Sequence, residues 1–173
     1  MIHLLRLLAA GLVLPLALSF GTPAEAGFVT ERAHLESSVR GALFDAGQVL
    51  LPGAPAATRS VSLVYRGRSA ATSVGLYLDH YVARGDRSLP TCTASEPGDA
   101  FVVTITSAGT EVFQGSLAKL ARSHSSSTTR LGLPGSWRPG LEHVVTIAVG
   151  LPRSTGNGFM GCSPTADFVW IAQ

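Results

Sequence analysis

The 173-residue sequence is poor in charge, in lysine and in cysteine. Charged residues make up 14% of the chain, the formal net charge is +2, and Lys119 is the single lysine. The arginines that supply the rest of the positive charge are scattered and form no run. This composition excludes the strongly basic proteins that hold nucleic acid or an anionic membrane through charge, and we predict neither partner.

The sequence also lacks the short motifs that mark familiar enzymes. It contains no HExxH or HxH pair, no GxSxG elbow, no phosphate-binding glycine loop and no aspartate-rich calcium loop. Those motifs carry the spacing that a helical zinc site, a hydrolase nucleophile, a nucleotide or Ca²⁺ requires. No cysteine–histidine cluster is formed by His34, His80, His124 and His143. We therefore predict no catalytic residue, no metal ligand and no cofactor.

Long apolar runs are absent after position 20, and the run before it resembles a secretory signal peptide. Arg6 precedes an apolar stretch that ends at Phe20, and small residues follow at Ala24 and Ala26. The stretch is shorter than the roughly 20 residues that a membrane-spanning helix needs, which argues against a membrane anchor. We predict cleavage between Ala26 and Gly27, secretion, and no membrane attachment of the mature chain.

The chain has only two cysteines, Cys92 and Cys162, and both lie in the mature part. In an exported protein such a pair is most simply one disulfide, and two free thiols are the alternative. The spacing excludes a CxxC redox site. In the chain-entropy model, a disulfide that closes a loop of this length stabilises the folded protein by about 4 kcal/mol.

Period-two alternation of apolar and polar residues predicts several β-strands. Such alternation is typical of strands that bury one face, and it is found at 60–66, 73–79, 101–107, 143–151 and 167–172. Weaker strand patterns lie at 28–34 and 41–51. One short helix is predicted at 116–123, where Leu117, Leu120 and Ala121 have helical spacing and Ser116 can cap the N-terminus.

Turn residues separate these segments. Pro-Gly pairs and an Asn-Gly pair, which favour tight turns, occur at Pro52-Gly53, Pro97-Gly98, Pro134-Gly135, Pro139-Gly140 and Asn157-Gly158. Many short strands, frequent turns and very little helix predict an all-β protein with an antiparallel β-sandwich. We assign residues 1–26 to the signal peptide and 27–173 to a single sandwich domain.

Four blocks of sequence follow one another in a recognisable order. They are GALFDAGQVLLPGAPAATRSVSLVYRG, FVVTITSAGTEVFQGSLAKL, SWRPGLEHVVTIAVGLP and STGNGFMGCSPTADFVWIAQ. In this order and spacing they resemble the TasA/camelysin-type family of secreted bacterial β-sandwich proteins. The resemblance covers nearly the whole mature chain, from Gly41 to Gln173. It implies a jelly-roll-like sandwich and an extracellular role in matrix fibres or on their surface.

The sequence departs from this family at several positions. Arg66-Gly67 stands where the family often has asparagine before glycine, and Met160-Gly161 replaces a Gln-Gly turn. The two cysteines are not a general feature of the family. One branch has been classed as metallopeptidase, but this sequence offers no residues onto which a zinc site could be carried over.

These observations predict a secreted, non-enzymatic structural protein of the cell envelope or matrix. Its partner would be a further copy of itself or another extracellular protein. Two arrangements of the segment 27–40 stay open: it pairs within its own sheet, or it adds a strand to the sheet of a neighbouring copy. A metallopeptidase of camelysin type is the lesser alternative.

The main alternative is an extracellular binding module for a glycan or a protein. Long loops at one end of a sandwich suit binding, and the longest candidate is the loop at 80–100. Within it, Tyr81, Arg84 and Arg87 are the candidate contact residues, and Cys92 would anchor the loop. The loop also contains the tripeptide Arg84-Gly85-Asp86, which integrins read, but three-residue matches are common by chance.

Overall fold

The structure is a computed structural model that describes residues 35–37, 43–44 and 49–173. The weak strand pattern at 28–34 lies outside the described residues, as does the predicted signal peptide with its cleavage residues, Ala24, Ala26 and Gly27. Of the weak pattern at 41–51, the described residues form no strand.

Eight strands and one α-helix, together with two short 3₁₀ helices at Pro97–Asp99 and Asn157–Phe159, make up the described fold. The strands and the α-helix are β1 (Leu35–Ser37), β2 (Ala57–Tyr65), β3 (Val74–Val82), β4 (Val102–Ser107), β5 (Thr110–Ser116), α1 (Leu117–Ser123), β6 (Leu131–Leu133), β7 (Glu142–Gly150) and β8 (Thr165–Ala172). All five segments with clear alternation are strands, so that part of the prediction is confirmed.

The strands form two antiparallel sheets, as the predicted β-sandwich requires. One sheet has the order β1-β2-β7-β4-β5 and the other has the order β6-β3-β8. Every connection after β2, except the β4–β5 hairpin, passes from one sheet to the other. This is connectivity of the Greek-key kind, on which jelly rolls are also built.

The edge strand β1 places part of the N-terminal segment in the larger sheet. Leu35 pairs with Tyr65 and Ser37 pairs with Leu63, both on β2. Glu36 lies between them on the outer face, where its carboxylate accepts a 2.9 Å hydrogen bond from Arg66. Residues 35–37 therefore pair within their own sheet.

The inward residues of both sheets form one apolar core. Alternation places them on facing surfaces, where burial of their side chains is the main stabilising term. The fully buried members include Val61, Leu63, Val103, Ile105, Val145 and Ile147 from the larger sheet, and Leu76, Leu78 and Trp170 from the smaller one. Their polar neighbours along each strand lie on the outer faces.

The helix α1 closes the sandwich after β5. Ser116 Oγ accepts a hydrogen bond from the backbone N–H of Lys119 at 3.1 Å, which is the predicted N-cap. Leu117 and Leu120 are buried in the core. None of the helices in the described part of the chain has the length and apolarity to cross a membrane.

The strand register places two long connections at the same end of the sandwich. Val82 at the end of β3 pairs with Thr165 at the start of β8, and Gly150 at the end of β7 pairs with Val102 at the start of β4. The β3–β4 connection therefore leaves one sheet and enters the other at this end. The β7–β8 connection crosses in the opposite direction beside it.

Candidate binding surface at the disulfide-linked end

A disulfide joins these two connections. Cys92 of the β3–β4 connection is bonded to Cys162 of the β7–β8 connection, and their Cα atoms lie 4.8 Å apart. The predicted pairing is thus confirmed, and a disulfide fits a protein that resides in an oxidising compartment. The bond links the predicted binding loop at 80–100 to the stretch that leads into the last strand.

Backbone hydrogen bonds reinforce the disulfide on both sides of it. The N–H of Leu89 donates to the carbonyl of Gly161 at 2.8 Å. The N–H groups of Thr93 and Ala94 both donate to the carbonyl of Gly158, at 2.9 and 3.0 Å. These bonds satisfy backbone groups that would otherwise need water, and they make the two connections one unit.

Close approach between the connections depends on glycine. Gly161 has φ +72°, and a Cβ atom there would lie 2.5 Å from Thr91 Oγ1. Gly85 is buried, and a Cβ atom on it would lie 2.4 Å from the carbonyl oxygen of Ser163. Side chains at these two positions would separate the connections, because real Cβ atoms do not approach other atoms so closely.

Tyr81 holds the far end of its own loop. Its hydroxyl donates a hydrogen bond to Glu96 at 2.5 Å, and the same hydroxyl oxygen lies 2.1 Å from where a Cβ on Gly98 would be. Partial burial, and next the hydrogen bond to the Glu96 carboxylate, raise the pKa of Tyr81 well above its ordinary value. This predicted contact residue is therefore engaged inside the loop.

Arg84 is also turned toward its own loop. Its guanidinium donates to the carbonyl oxygen of Cys92, and the turn that follows is closed by a 2.9 Å bond from Ser88 N–H to Gly85 O. Arg84 and Asp86 are the charged residues of the integrin tripeptide, so half of that motif is occupied within the molecule. Arg84 fixes the loop against the disulfide.

Arg84 and Arg87 are both exposed, but Arg87, unlike Arg84, forms no hydrogen bond or ion pair within residues 49–173. Two apolar side chains accompany it at this end: Leu89 is 58% exposed and Met160 is 60% exposed. The Leu89–Gly161 hydrogen bond brings Leu89 close to the residue that follows Met160. No local pattern in the sequence indicates this contact, because the two residues lie far apart along the chain. The signal that could have found Leu89 is an aliphatic residue inside a loop of turn-forming residues.

A third segment lies against the start of the β7–β8 connection. Pro52 forms an isolated bridge with Leu151, and the N–H of Gly53 donates to the carbonyl of Leu151 at 2.8 Å. The side chain of Arg153 lies over Gly53, whose φ of +74° fits the predicted Pro-Gly turn. The exposed side chains Val49 and Leu51 precede this turn.

A histidine and two aspartates lie at the base of the two connections. His80 Nδ1 is 2.9 Å from Asp167 Oδ2, and the His80 N–H donates to Asp79 at 2.8 Å. His80 has φ +47° and sits in the bulge of β3 between Asp79 and Val82. The hydrogen bond with Asp167, followed by the charge of Asp79, raises the pKa of His80 above its ordinary value.

A shallow cleft of about 250 Å³ lies elsewhere, on the outer face of the larger sheet. It is lined by Glu36, Ser37, Ser62, Val64, Arg66 and Glu142. The polar groups bond to one another across it: Arg66 donates to Glu36, and Ser62 donates to Glu142. The cleft is small and open, so it suits a solvated cross-strand network better than an enclosed ligand site.

Residues 35–37, 43–44 and 49–173 contain no group of three or more histidine, cysteine, aspartate or glutamate side chains that could hold a metal ion. Comparison with known proteins gives no further assignment, because no family model matches the chain and no curated protein matches it significantly.

Proposed function

We propose that the protein is an exported, non-enzymatic binding module of the cell envelope or matrix. The observation that carries this proposal is the disulfide-linked end, where Cys92–Cys162 and several backbone hydrogen bonds make two long connections into one unit. Loops held on a rigid sandwich are where binding residues concentrate.

Pre-organisation is the physical reason that such a construction suits binding. A ligand that meets an ordered surface does not have to order it, and this lowers the entropic cost of association. The polar side chains that fix the loops, Tyr81, Arg84 and Glu96, point inward or along the loop. Arg87, Leu89 and Met160 are exposed at the same end.

Site-specific photo-crosslinking tests the proposal. A photoreactive phenylalanine at exposed Pro90, in protein secreted by its own host, should give a discrete crosslinked product. The matched control carries the same group at Leu141, which is exposed at the opposite end. Equal yields of crosslinked product from both positions would refute the binding role of this end. So would the absence of any crosslinked product from Pro90, whether with protein or with glycan.

A structural role by self-assembly is the second candidate. It is favoured by the edge strand β1, which is three residues long and has its exposed Glu36 paired with Arg66. An exposed ion pair of this kind contributes little, so the strand could leave its own β2 and pair with that of a neighbour. Deletion of residues 27–40 should then abolish assembly measured by light scattering, and unchanged assembly would reject strand donation.

A further inference from the structure

We propose that the disulfide-linked end docks a protein whose contact face combines apolar side chains with carboxylates. The docking surface consists of Val49, Leu51, Arg87, Leu89, Arg153 and Met160, and we call it the end surface. This inference rests on the proposed binding function and names the partner class. It also extends the surface well beyond the loop at 80–100.

Exposed aliphatic side chains are concentrated at this end. Among the described residues, the exposed large hydrophobic side chains here are Val49, Leu51, Val82, Leu89 and Met160. At the opposite end and on the sheet face there are two, Leu141 and Val144. Scattered exposed apolar residues need no explanation, but a concentration at one end marks an interaction surface.

The β7–β8 connection holds the parts of the end surface together. At its start, Leu151 bonds to Gly53 and Arg153 lies over that glycine, which places Val49 and Leu51 on this side. Near its end, Gly161 bonds to Leu89. Met160 precedes that glycine, so the apolar side chains from three segments project from one continuous support.

The charges at this end select an acidic partner. The β3–β4 connection has three carboxylates: Glu96 accepts a hydrogen bond from Tyr81, Asp99 accepts one from Arg122 at 3.2 Å, and Asp86 is exposed beside Arg87. Arg87 and Arg153 form no hydrogen bond or ion pair with the described residues. Arg84, Arg87, Arg122 and Arg153 outnumber these three carboxylates by one. This small positive excess around apolar side chains is complementary to a partner that places carboxylates around its own apolar contact.

The aromatic residues argue for protein over glycan. Phe101 and Phe159 are the aromatic residues of the two connections, Tyr81 lies at the end of β3 beside them, and all three are partly buried. The end surface itself contains no aromatic residue on which a sugar ring could stack. Arginine and methionine, by contrast, are enriched in the buried centres of protein–protein interfaces.

Selection of a random disulfide-constrained peptide library on the immobilised mature protein tests this inference. We expect the enriched peptides to combine aspartate or glutamate with aliphatic or aromatic residues. Their binding should weaken by at least about tenfold on Arg87→Glu with Arg153→Glu, and similarly on Leu89→Ser with Met160→Ser. Arg138→Glu with Leu141→Ser, at the opposite end, is the matched control and should bind as the unaltered protein does.

The outcomes separate the partner class from the proposed function. One contrary result is a set of enriched peptides that carry no carboxylates, lose binding to the Leu89→Ser, Met160→Ser variant and bind the Arg87→Glu, Arg153→Glu variant unchanged. That result would overturn the acidic partner and leave the binding function intact. Peptides that bind elsewhere, or no enrichment at all, would overturn both.

Two further results would contradict the proposal. Concentration-dependent dimers that the same serine variants abolish would assign the end surface to a second copy. Cosedimentation with phosphatidylglycerol vesicles would assign it to lipid. A native melting temperature for each variant ensures that lost binding is not lost folding.

Discussion

Cys92 and Cys162 join the two connections that cross between the sheets at one end of the sandwich, with 4.8 Å between their Cα atoms. The bond lies among hydrogen bonds that link the same two connections, so covalent and polar contacts act on the same surface. It therefore contributes both to the stability of the fold and to the shape of the end surface.

Removal of the disulfide should destabilise the protein. The Cys92→Ala, Cys162→Ala variant has an unfolded chain without the loop constraint, so its free energy of unfolding should be lower by about 2–4 kcal/mol. Urea denaturation of the oxidised protein and the double variant measures the difference. An unchanged midpoint and slope would show that the bond does not constrain the unfolded state.

Substitution of Gly161 should also destabilise this end. Gly161→Ala forces a side chain into φ +72° and against Thr91 Oγ1, at an expected cost of about 1–3 kcal/mol. Gly156→Ala is the control, because Gly156 has φ −76° and no atom lies within 4 Å of its added Cβ. Equal stabilities of the two variants in thermal denaturation would contradict the close approach described here.

The His80–Asp167 contact predicts a pH dependence. The folded-state pKa of His80 is raised above 6.5, so its contribution to stability is fully present below pH 6.5 and is lost as the pH rises through the folded value. The midpoint of the His80 imidazole signals in an NMR titration should lie above 6.5, and Asp167→Asn should lower it. A midpoint at or below 6.5 would mean that neither aspartate favours the charged imidazole.

Truncation of two β7 side chains on opposite faces of the sheet should change stability by different amounts. Ile147 is fully buried in the core, whereas Val144 is 49% exposed. Ile147→Ala should cost about 2–5 kcal/mol of folding free energy, and Val144→Ala should change it by less than about 0.5 kcal/mol. Comparable losses in both variants would show that the assigned register of β7 is wrong.

The sequence predicted those parts of the fold that depend on local pattern. Alternation identified β2, β3, β4, β7 and β8, because each buries one face, and the helix was evident from its spacing and its Ser116 cap. The strand β6 was missed because three residues around Gly132 carry no measurable alternation. The Pro97-Gly98 pair predicts a tight turn, but a short 3₁₀ helix begins at Pro97 instead.

The candidate site was harder to predict, since its contacts join distant parts of the chain. The cysteine pair could be inferred because a chain with two cysteines has one possible intramolecular pairing. No local pattern indicates that His80 meets Asp167, 87 residues away. Nor does one show that Tyr81 and Arg84 form hydrogen bonds within the β3–β4 segment while Leu89 and Met160 stay exposed, because tertiary contacts decide which loop side chains are free.

The most direct test of the central claim measures photo-crosslinking from Pro90 with the Cys92–Cys162 bond intact and after its removal. If the disulfide-linked end is the binding surface, the crosslinked product should form efficiently in the oxidised protein. Its yield should fall several-fold in the folded Cys92→Ala, Cys162→Ala variant. The same yield from both proteins, or the same product from Leu141, would contradict the account.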